Sequence, residues 1–494
     1  MTTGSGFRVA DLFRHGAEPP PHPAIAGQPW WPWLIVGITC IGAFIGQLDA
    51  SIVQLALPTL VDVFHDSLAR VTWVALAYSL AFAASLPIFG RLCEMFGRKV
   101  LYLAGFLFFT IATALCGSAA DLTSLITFRV LQGIAGSLLG ANSIAILVAA
   151  AGPARRARAM GIFAAAQAVG LCLGPVIGGI LVGAYGWRSI FWATVPFGVV
   201  AVILGWLALP QTAHLSRQTA FDWTGALLLT PALVALVFAL NHAAALGFTS
   251  PLLLGCVVSF VVLMTLLIRH ERLTTFPLVN LRLFSSPAFT AGAAGAALGY
   301  ALLYGMFFLI SFALIRGYHL SPSAAGLRLA TIPVAVGVVA PLSGALTDRW
   351  GPNLVRGMGM AACLAALCVL SLLAPDERIG LIAGVSLLAL YGAGIGLFIA
   401  PNNAATMSAA SAEFSGEAGA MLNLMRSLGT SIGVAAASSM LTWRMKDVAL
   451  YPAGDFTFGG HPLLAAAESS FVMLMIFAAI AGGISFVRGP RKPV

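Results

Sequence analysis

The sequence predicts an all-α polytopic membrane protein with about fourteen transmembrane helices. Of its 494 residues, 60% are hydrophobic and only 9% are charged. A soluble fold of this length needs more polar cover than such a chain offers. The chain also lacks the runs of strict alternation that a membrane β-barrel needs, so the spans are expected to be helices.

Apolar runs of about 20 residues recur along the chain, and short polar segments separate them. Each run is long enough to cross the hydrocarbon layer as a helix. The predicted spans are 33–57, 70–90, 98–118, 122–150, 159–184, 188–209, 221–243, 251–269, 287–315, 322–346, 353–374, 379–401, 414–441 and 465–487.

The 26 Lys and Arg residues are distributed unevenly between the two sides of the membrane. If the N-terminus is cytoplasmic, about 17 of them lie in inner segments and about 7 in outer loops. Basic loops stay in the cytoplasm, so both termini are expected there. The net charge of +9 then reflects topology, and no nucleic-acid partner is expected.

The first thirty residues are polar and proline-rich, as in "EPPPHPAIAGQP" (18–29), and they lack the apolar core and cleavage site of a signal peptide. We expect a disordered cytoplasmic tail over residues 1–30. Trp30, Trp31 and Trp33 follow at the expected membrane edge, where aromatic belts form.

Cofactor chemistry has no signal in the sequence. The seven cysteines are scattered without metal-ligand spacing, and there is no H-E-x-x-H motif and no P-loop. A membrane-embedded enzyme or an ATP-driven pump is therefore disfavoured. We expect no metal and no cofactor, with a proton gradient as the energy source.

Two short motifs repeat at nearly the same offset. "GRLCEMFG" (90–97) is echoed by "GALTDRWG" (344–351), and "LGPVIG" (173–178) by "LGTSIG" (428–433). Parallel repeats of six spans predict a two-bundle transporter with its substrate site at the midplane. The predicted parts are a bundle over 31–210, a linker with two extra helices over 211–286, a second bundle over 287–488 and a cytoplasmic tail over 489–494. The two extra helices are expected to be peripheral.

Several motifs in order resemble the major facilitator superfamily, and within it the 14-spanner drug:proton antiporters. They are "LDASIVQLALP" (48–58), "GRLCEMFGRK" (90–99), "RVLQGIAGS" (129–137), "GLCLGPVIGGIL" (170–181), "WRSIFWATVPFG" (187–198) and "NLMRSLGTSIG" (423–433). The resemblance implies the major facilitator fold, with two six-helix bundles plus two inserted central helices. Two positions depart from the family pattern: Glu94 replaces the usual Asp, and Gln54 replaces Asn.

The "GRLCEMFGRK" loop has two interpretations. As a basic loop between two helix ends, it would serve topology alone. By resemblance, it is a cytoplasmic latch that stabilises the outward-facing state, and Asp348 repeats its acid in the other half. The latch residues are Gly90, Glu94, Gly97, Arg98 and Asp348.

The fifth span carries glycines at a spacing of four, which form a small-residue face where another helix packs closely. Ordinary membrane packing explains such a face. By resemblance, the face is the antiporter motif that seals an exporter against proton leak. The motif residues are Gly170, Gly174, Pro175, Gly178 and Gly179.

Asp49 is the one acid deep in any predicted span, where a charge costs about 3 kcal/mol or more. Desolvation favours its protonated form, whereas a nearby arginine favours the carboxylate. Arg129 on the fourth span cannot lose its proton and needs a partner. Asp49 is expected to be the proton site, and the alternative is a fixed structural ion pair with Arg129. By resemblance, Arg129 takes part in proton coupling; the alternative is a side chain that extends to the membrane interface, since Arg129 lies only about two turns into its helix.

The substrate cavity is expected to be lined by polar residues on the spans. Gln47, Ser51 and Gln54 lie nearly opposite Asp49 on the first helix. Arg426 is either a structural anchor or a substrate contact. The candidates are Gln47, Ser51, Gln54, Gln132, Gln167, Asn423 and Arg426.

The sequence thus favours a proton-coupled exporter of small lipophilic compounds or drugs that works by alternating access. A proton-coupled uptake symporter is the alternative. One deep acid and two membrane arginines favour neutral, monovalent or anionic substrates. The expected partners are a small molecule, protons and the lipid bilayer, with a monomeric chain in a bacterial plasma or inner membrane.

Overall fold

The computed structural model describes residues 18, 20–212, 221–247, 249–275, 277–373, 381–411, 414–448 and 461–487. Over these residues the chain forms fourteen long helices and no strand. They are α1 (Trp31–Phe64), α2 (Trp73–Phe96), α3 (Arg98–Gly117), α4 (Leu122–Ala151), α5 (Arg156–Tyr185), α6 (Val195–Ala208), α7 (Trp223–Leu246), α8 (Pro251–Leu273), α9 (Pro287–Phe312), α10 (Thr331–Trp350), α11 (Pro352–Leu373), α12 (Leu381–Ala409), α13 (Ser415–Val448) and α14 (His461–Ile484).

Thirteen of these helices, some joined to a short neighbouring helix, are long and apolar enough to cross a membrane. The fourteenth is α13, which has the length to span but less apolar character. Its centre, "SLGTSIGVAAASS", consists mostly of small and hydroxylated residues. Small residues of this kind suit helix–helix contact within a bundle more than contact with lipid.

The two halves of the chain repeat one packing pattern. In the first half α1 packs along α5, and α2 and α3 both pack on α4. In the second half α9 packs along α13, and α10 and α11 both pack on α12. The repeated motifs therefore correspond to a repeated arrangement of helices.

The two extra helices differ in their surroundings. Helix α8 packs mainly on α7, and only 11% of its membrane-crossing window is buried. Helix α7 also packs on α2 and α13, one from each half. The Asn241 amide donates to the Ala69 carbonyl at 2.8 Å, and the Ala244 N–H donates to the Ser439 hydroxyl at 3.1 Å. Helix α7 thus bridges the halves, and the expectation that both helices are peripheral is wrong for α7.

Successive helices alternate in direction, so the chain's turns fall on two faces of the bundle. We call the "basic face" the one that holds the α2–α3, α4–α5, α8–α9 and α10–α11 connections, and the other the "opposite face". At the α2–α3 turn, Gly97 has φ +102°, a conformation that favours glycine. The motif loop therefore lies on the basic face.

Residues 20–30, which the sequence placed in a disordered tail, are ordered in the structure. They include a short helix, Pro23–Ala26, and the His22 N–H donates to the Leu207 carbonyl at 2.8 Å. The Trp31 indole donates to the Ala208 carbonyl at 2.7 Å. The rest of that predicted tail, residues 1–17 and 19, lies outside the described residues, as does the predicted tail over 489–494.

Candidate functional site

A cavity of about 1600 Å³ lies between the two halves. Its walls come from α1, α2, α4 and α5 of the first half and mainly from α9 and α13 of the second. Its mouth is on the basic face, where Arg91, Arg156 and Glu417 line it. Deeper in the cavity, the Tyr304 hydroxyl of α9 donates to Gln47 Oε1 of α1 at 3.3 Å. The cavity is therefore open toward the basic face.

Toward the opposite face, hydrogen bonds made by hydroxyl groups hold the two halves together and close the cavity. The Ser79 and Ser431 hydroxyls lie 2.8 Å apart, and those of Thr72 and Ser438 lie 3.0 Å apart. The Ser427 hydroxyl donates to the Ser79 carbonyl at 2.8 Å. We call these contacts between α2, with the residue before it, and α13 the "hydroxyl seam".

Asp49 and Arg129 form a buried ion pair beside the cavity. Arg129 Nη1 donates to Asp49 Oδ2 at 2.7 Å, and both side chains are about 2% exposed or less. Arg129 Nε donates to the Val74 carbonyl at 2.8 Å, and its Cζ lies 4.4 Å from the centroid of the Tyr78 ring. A guanidinium this deep in the membrane thus has a carboxylate, a carbonyl and an aromatic face as partners.

Gln132 completes this network, a role that the sequence analysis did not predict. Its amide nitrogen donates to Asp49 Oδ1 at 3.0 Å and to the Thr113 hydroxyl at 2.8 Å. Its amide oxygen accepts from Arg129 Nη1 at 2.6 Å. Gln132 is fully buried and is not on the cavity wall, where the sequence placed it. Its position one helical turn after Arg129 was the available signal.

The small residues of α5 hold two other helices at close distance. On α1, the Ser51 side chain fills the space beside Gly174, where any Cβ would overlap its hydroxyl. On the other side, a Cβ at Gly179 would meet the Pro322 carbonyl of the other half, and the Ser323 hydroxyl donates to the Gly179 carbonyl at 3.1 Å. The α5 glycines thus set the position of the Asp49 helix and also seal the two halves together.

Five of the seven cavity candidates line the cavity: Gln47, Gln54, Gln167, Asn423 and Arg426. Gln132 belongs to the buried network instead. The second exception, Ser51, is buried against α5, and its hydroxyl donates to the Gln47 and Leu48 carbonyls at 3.0 and 3.2 Å. It is turned about 40° from Gln47 around the helix, which takes it away from the cavity.

The latch residues do not join the two halves in this structure. Glu94 is exposed and pairs with Arg91 of its own helix at 3.0 Å. Asp348 is exposed and has no ion pair among the described residues. Glu18, which the sequence did not single out, takes part at this turn. Its carboxylate accepts from the Lys99 N–H at 3.0 Å, at the N-terminus of α3.

Two helix bundles around a shared cavity, closed at one face and open at the other, are the architecture of a two-bundle membrane transporter. The sequence model of the Major Facilitator Superfamily matches residues 39–434. The chain belongs to the Major Facilitator Superfamily, and it is a transporter and not an enzyme.

Named relatives are transporters too. The chain is 31% identical to the riboflavin transporter RibZ of Clostridioides difficile, over 84% of this chain and 90% of that protein. It is 32% identical to the multidrug resistance protein Stp of Mycobacterium tuberculosis, over 82% and 74%. It is 31% identical to the tetracenomycin C resistance and export protein of Streptomyces glaucescens, over 88% and 80%.

The fold is also similar to solved transporters. A bacterial homolog of the human lysosomal transporter Spinster, in an inward-facing and unoccupied conformation, aligns with a TM-score of 0.67. The alignment covers 93% of this chain and 97% of that one at 18% identity, so the likeness concerns the fold.

Proposed function

We propose that this chain is a proton-coupled exporter of small lipophilic compounds that works by antiport. The observation that carries the proposal is the buried Asp49–Arg129 pair, which lies beside the cavity and not in a structural core far from it. A titratable group that neighbours the substrate site and lies within one half of the bundle suits the exchange of a proton for a substrate.

The orientation follows from charge. The basic face holds most of the basic residues, so we place it in the cytoplasm, with both termini on that side. The structure is then the state open to the cytoplasm, in which an exporter receives its substrate. Within the described part of the chain, Glu94 makes no ion pair or hydrogen bond with the other half. This supports the assignment of the state, because the latch is proposed to close when the cavity opens outward.

Protonation of Asp49 changes what holds α1 to α4. While Asp49 is a carboxylate, it accepts from both Arg129 and Gln132. Adding a proton removes the charge that matches Arg129 and converts one acceptor oxygen into a donor. The buried guanidinium then needs a new arrangement, and this need links proton binding to a rearrangement of the helices.

Two further features favour export over uptake. The α5 motif resembles that of exporters, and its Gly179 lies in the seal between the halves. Two of the relatives carry names that refer to resistance, and one of these names states export. Export of this kind needs no metal or cofactor.

Replacing Asp49 with Asn tests the coupling. The variant fixes a neutral side chain of nearly the same volume, so a pH gradient should no longer drive accumulation, while counterflow, which needs no net proton movement, continues. The measurement is transport into proteoliposomes of a compound selected by growth of an exporter-deficient bacterial host. The selection panel includes riboflavin and tetracenomycin C.

Two variants control this experiment. Asp49→Asn leaves Arg129 buried without its partner, which in soluble proteins costs about 3–5 kcal/mol. The double variant Asp49→Asn/Arg129→Gln removes both charges and should recover stability without recovering coupling.

Asp66→Asn, which removes a surface ion pair with Arg70, should leave coupling intact. Undiminished gradient-driven transport by Asp49→Asn would place the proton site elsewhere. Accumulation of the substrate by the wild-type protein in the same direction as the proton flux would indicate symport.

A further inference from the structure

The charges that line the cavity are separated by depth. Four carboxylates line it, and all four lie near helix ends on the basic face. They are Glu94 and Glu271 in last helical turns, Glu417 in a first turn and Asp222 at a helix N-cap. Farther in, Arg129 lines the wall, and its charge is matched by Asp49 behind it. The remaining deep charge on the wall is Arg426. The inner part of the cavity is therefore net positive.

Arg426 lies on α13, eleven residues or about 16 Å from the helix start. Its Cζ is 5.0 Å from the centroid of the Tyr300 ring on α9. Within the described part of the chain, its guanidinium makes no ion pair and no side-chain hydrogen bond. A half-buried guanidinium with five donors and no carboxylate partner among the described residues is suited to bind the anionic group of a ligand.

The surroundings of Arg426 also define a shape. Tyr300 and Tyr304 both line the cavity and lie one helical turn apart on the same side of α9. Tyr304 is only 2% exposed, so the half-buried Tyr300 ring beside the guanidinium offers the surface on which a planar ring can stack. A cation at this depth would meet no unmatched carboxylate, because Arg129 and Gln132 occupy the oxygens of Asp49.

We propose that the transported compound is a planar aromatic anion, whose carboxylate or phenolate pairs with Arg426 while its ring packs against Tyr300. Guanidinium–carboxylate pairs are directional and are strengthened by the low dielectric of a membrane cavity. The proposal rests on the exporter function and names its substrate class.

Three probes share one ring system and differ in charge: 9-anthracenecarboxylate, 9-anthracenecarboxamide and 9-(aminomethyl)anthracene. Equilibrium binding is followed by their fluorescence with the purified full chain in nanodiscs of zwitterionic lipid, without a pH gradient. The carboxylate should bind about tenfold more tightly than the amide, as expected for one charge-assisted hydrogen-bonded pair, and the amine should bind most weakly.

Arg426 variants assign the preference to one residue. Arg426→Gln should reduce the carboxylate preference to less than about threefold, and Arg426→Lys should retain part of it. Arg188→Gln is the matched control, because Arg188 also lies over an aromatic ring, Trp187, but outside the cavity. It should keep the full preference.

Any of four results would overturn the proposal. The first is that the amine binds as tightly as the carboxylate, and the second is that Arg426→Gln keeps the full preference for the carboxylate. The third is that Arg188→Gln loses this preference as much as Arg426→Gln does, and the fourth is that no probe shows saturable binding. The wild-type comparison alone decides the question if a variant fails to fold. The binding assay uses neither a pH gradient nor an Asp49 variant, so failure of the coupling experiment and failure of this one are separate outcomes.

Discussion

At the scale of the residue, Gln132 determines how Asp49 is held. Within the described part of the chain it is the one side chain that hydrogen-bonds to both members of the ion pair, and it also ties them to Thr113 on α3. A buried polar network of this kind is stabilising only when each member is satisfied. Loss of Gln132 therefore affects the pair even though Gln132 carries no charge.

Gln132→Leu should lower the stability of the protein by about 1–3 kcal/mol, because Asp49 Oδ1 and the Thr113 hydroxyl lose a buried partner. Gradient-driven transport should fall more than counterflow. Thermal unfolding in detergent measures the stability. Gln167→Leu is the comparison, since Gln167 lies on the cavity wall and should leave stability within about 0.5 kcal/mol of wild type. Equal stability of the two variants would contradict the network.

The sequence located most of this site because apolar surroundings make polar residues conspicuous. Asp49 and Arg129 are rare charges in apolar spans, and helical geometry places Gln47 and Gln54 on a common side. Ser51 was placed with them incorrectly, because a 40° difference decides whether a side chain faces the cavity or α5. The contacts of Gln132 with Asp49 and Thr113, and those of Glu18 with the start of α3, depend on which helices and segments are neighbours. No periodicity within one helix contains that information.

At the scale of the element, α5 is the helix whose packing the sequence predicts best. Its glycine spacing predicted a close helix contact, and the structure shows two such contacts, with α1 and with the start of the α10 segment. The α10 region itself was predicted as a single span, 322–346. The structure has one candidate span here, Pro322–Trp350, but its helix is interrupted at Ala330, because Pro333 has no N–H to give to the Leu329 carbonyl.

Gly174→Ala should push α5 away from α1 and lower both stability and transport, because the new methyl group overlaps the Ser51 side chain. Gly161→Ala lies on the same helix with open space around it, and it should be neutral or stabilising by up to about 1 kcal/mol. Adding Ser51→Gly to Gly174→Ala removes the overlap and should restore part of the loss. Thermal unfolding of wild type, Gly174→Ala, Ser51→Gly and the double variant measures the coupling between the two positions. Additive effects of the two substitutions would argue against this contact.

At the scale of the whole molecule, the proposed export requires the hydroxyl seam to open while the cavity mouth closes. Cysteines at Ser79 and Ser431 place two sulfurs where the hydroxyls are 2.8 Å apart, which is near enough for a disulfide after small adjustments. The seven native cysteines, all free, are replaced first.

Oxidation of the double cysteine variant should abolish transport, and a reductant should restore it. Binding of a probe from the basic face should continue, since the crosslink holds the state described here. The two single-cysteine variants, treated in the same way, show whether oxidation has other effects. An oxidised pair that transports at the wild-type rate would mean that α2 and α13 do not separate during turnover.

The hydroxyl seam has a consequence for how the two states are populated. Its three contacts involve no charge, and water can replace each partner when the seam opens. Each contact then favours the present state by about 0.5–1.5 kcal/mol, and the three together by about 1.5–4.5 kcal/mol. Inverting a population from 1:99 to 99:1 takes about 5.5 kcal/mol of differential affinity. The seam therefore biases the equilibrium by an amount that a bound substrate can reverse, and in the proposed antiport a proton binds Asp49 in the other half of the cycle, after the substrate has left. The same protein can thus return to its starting state in every cycle.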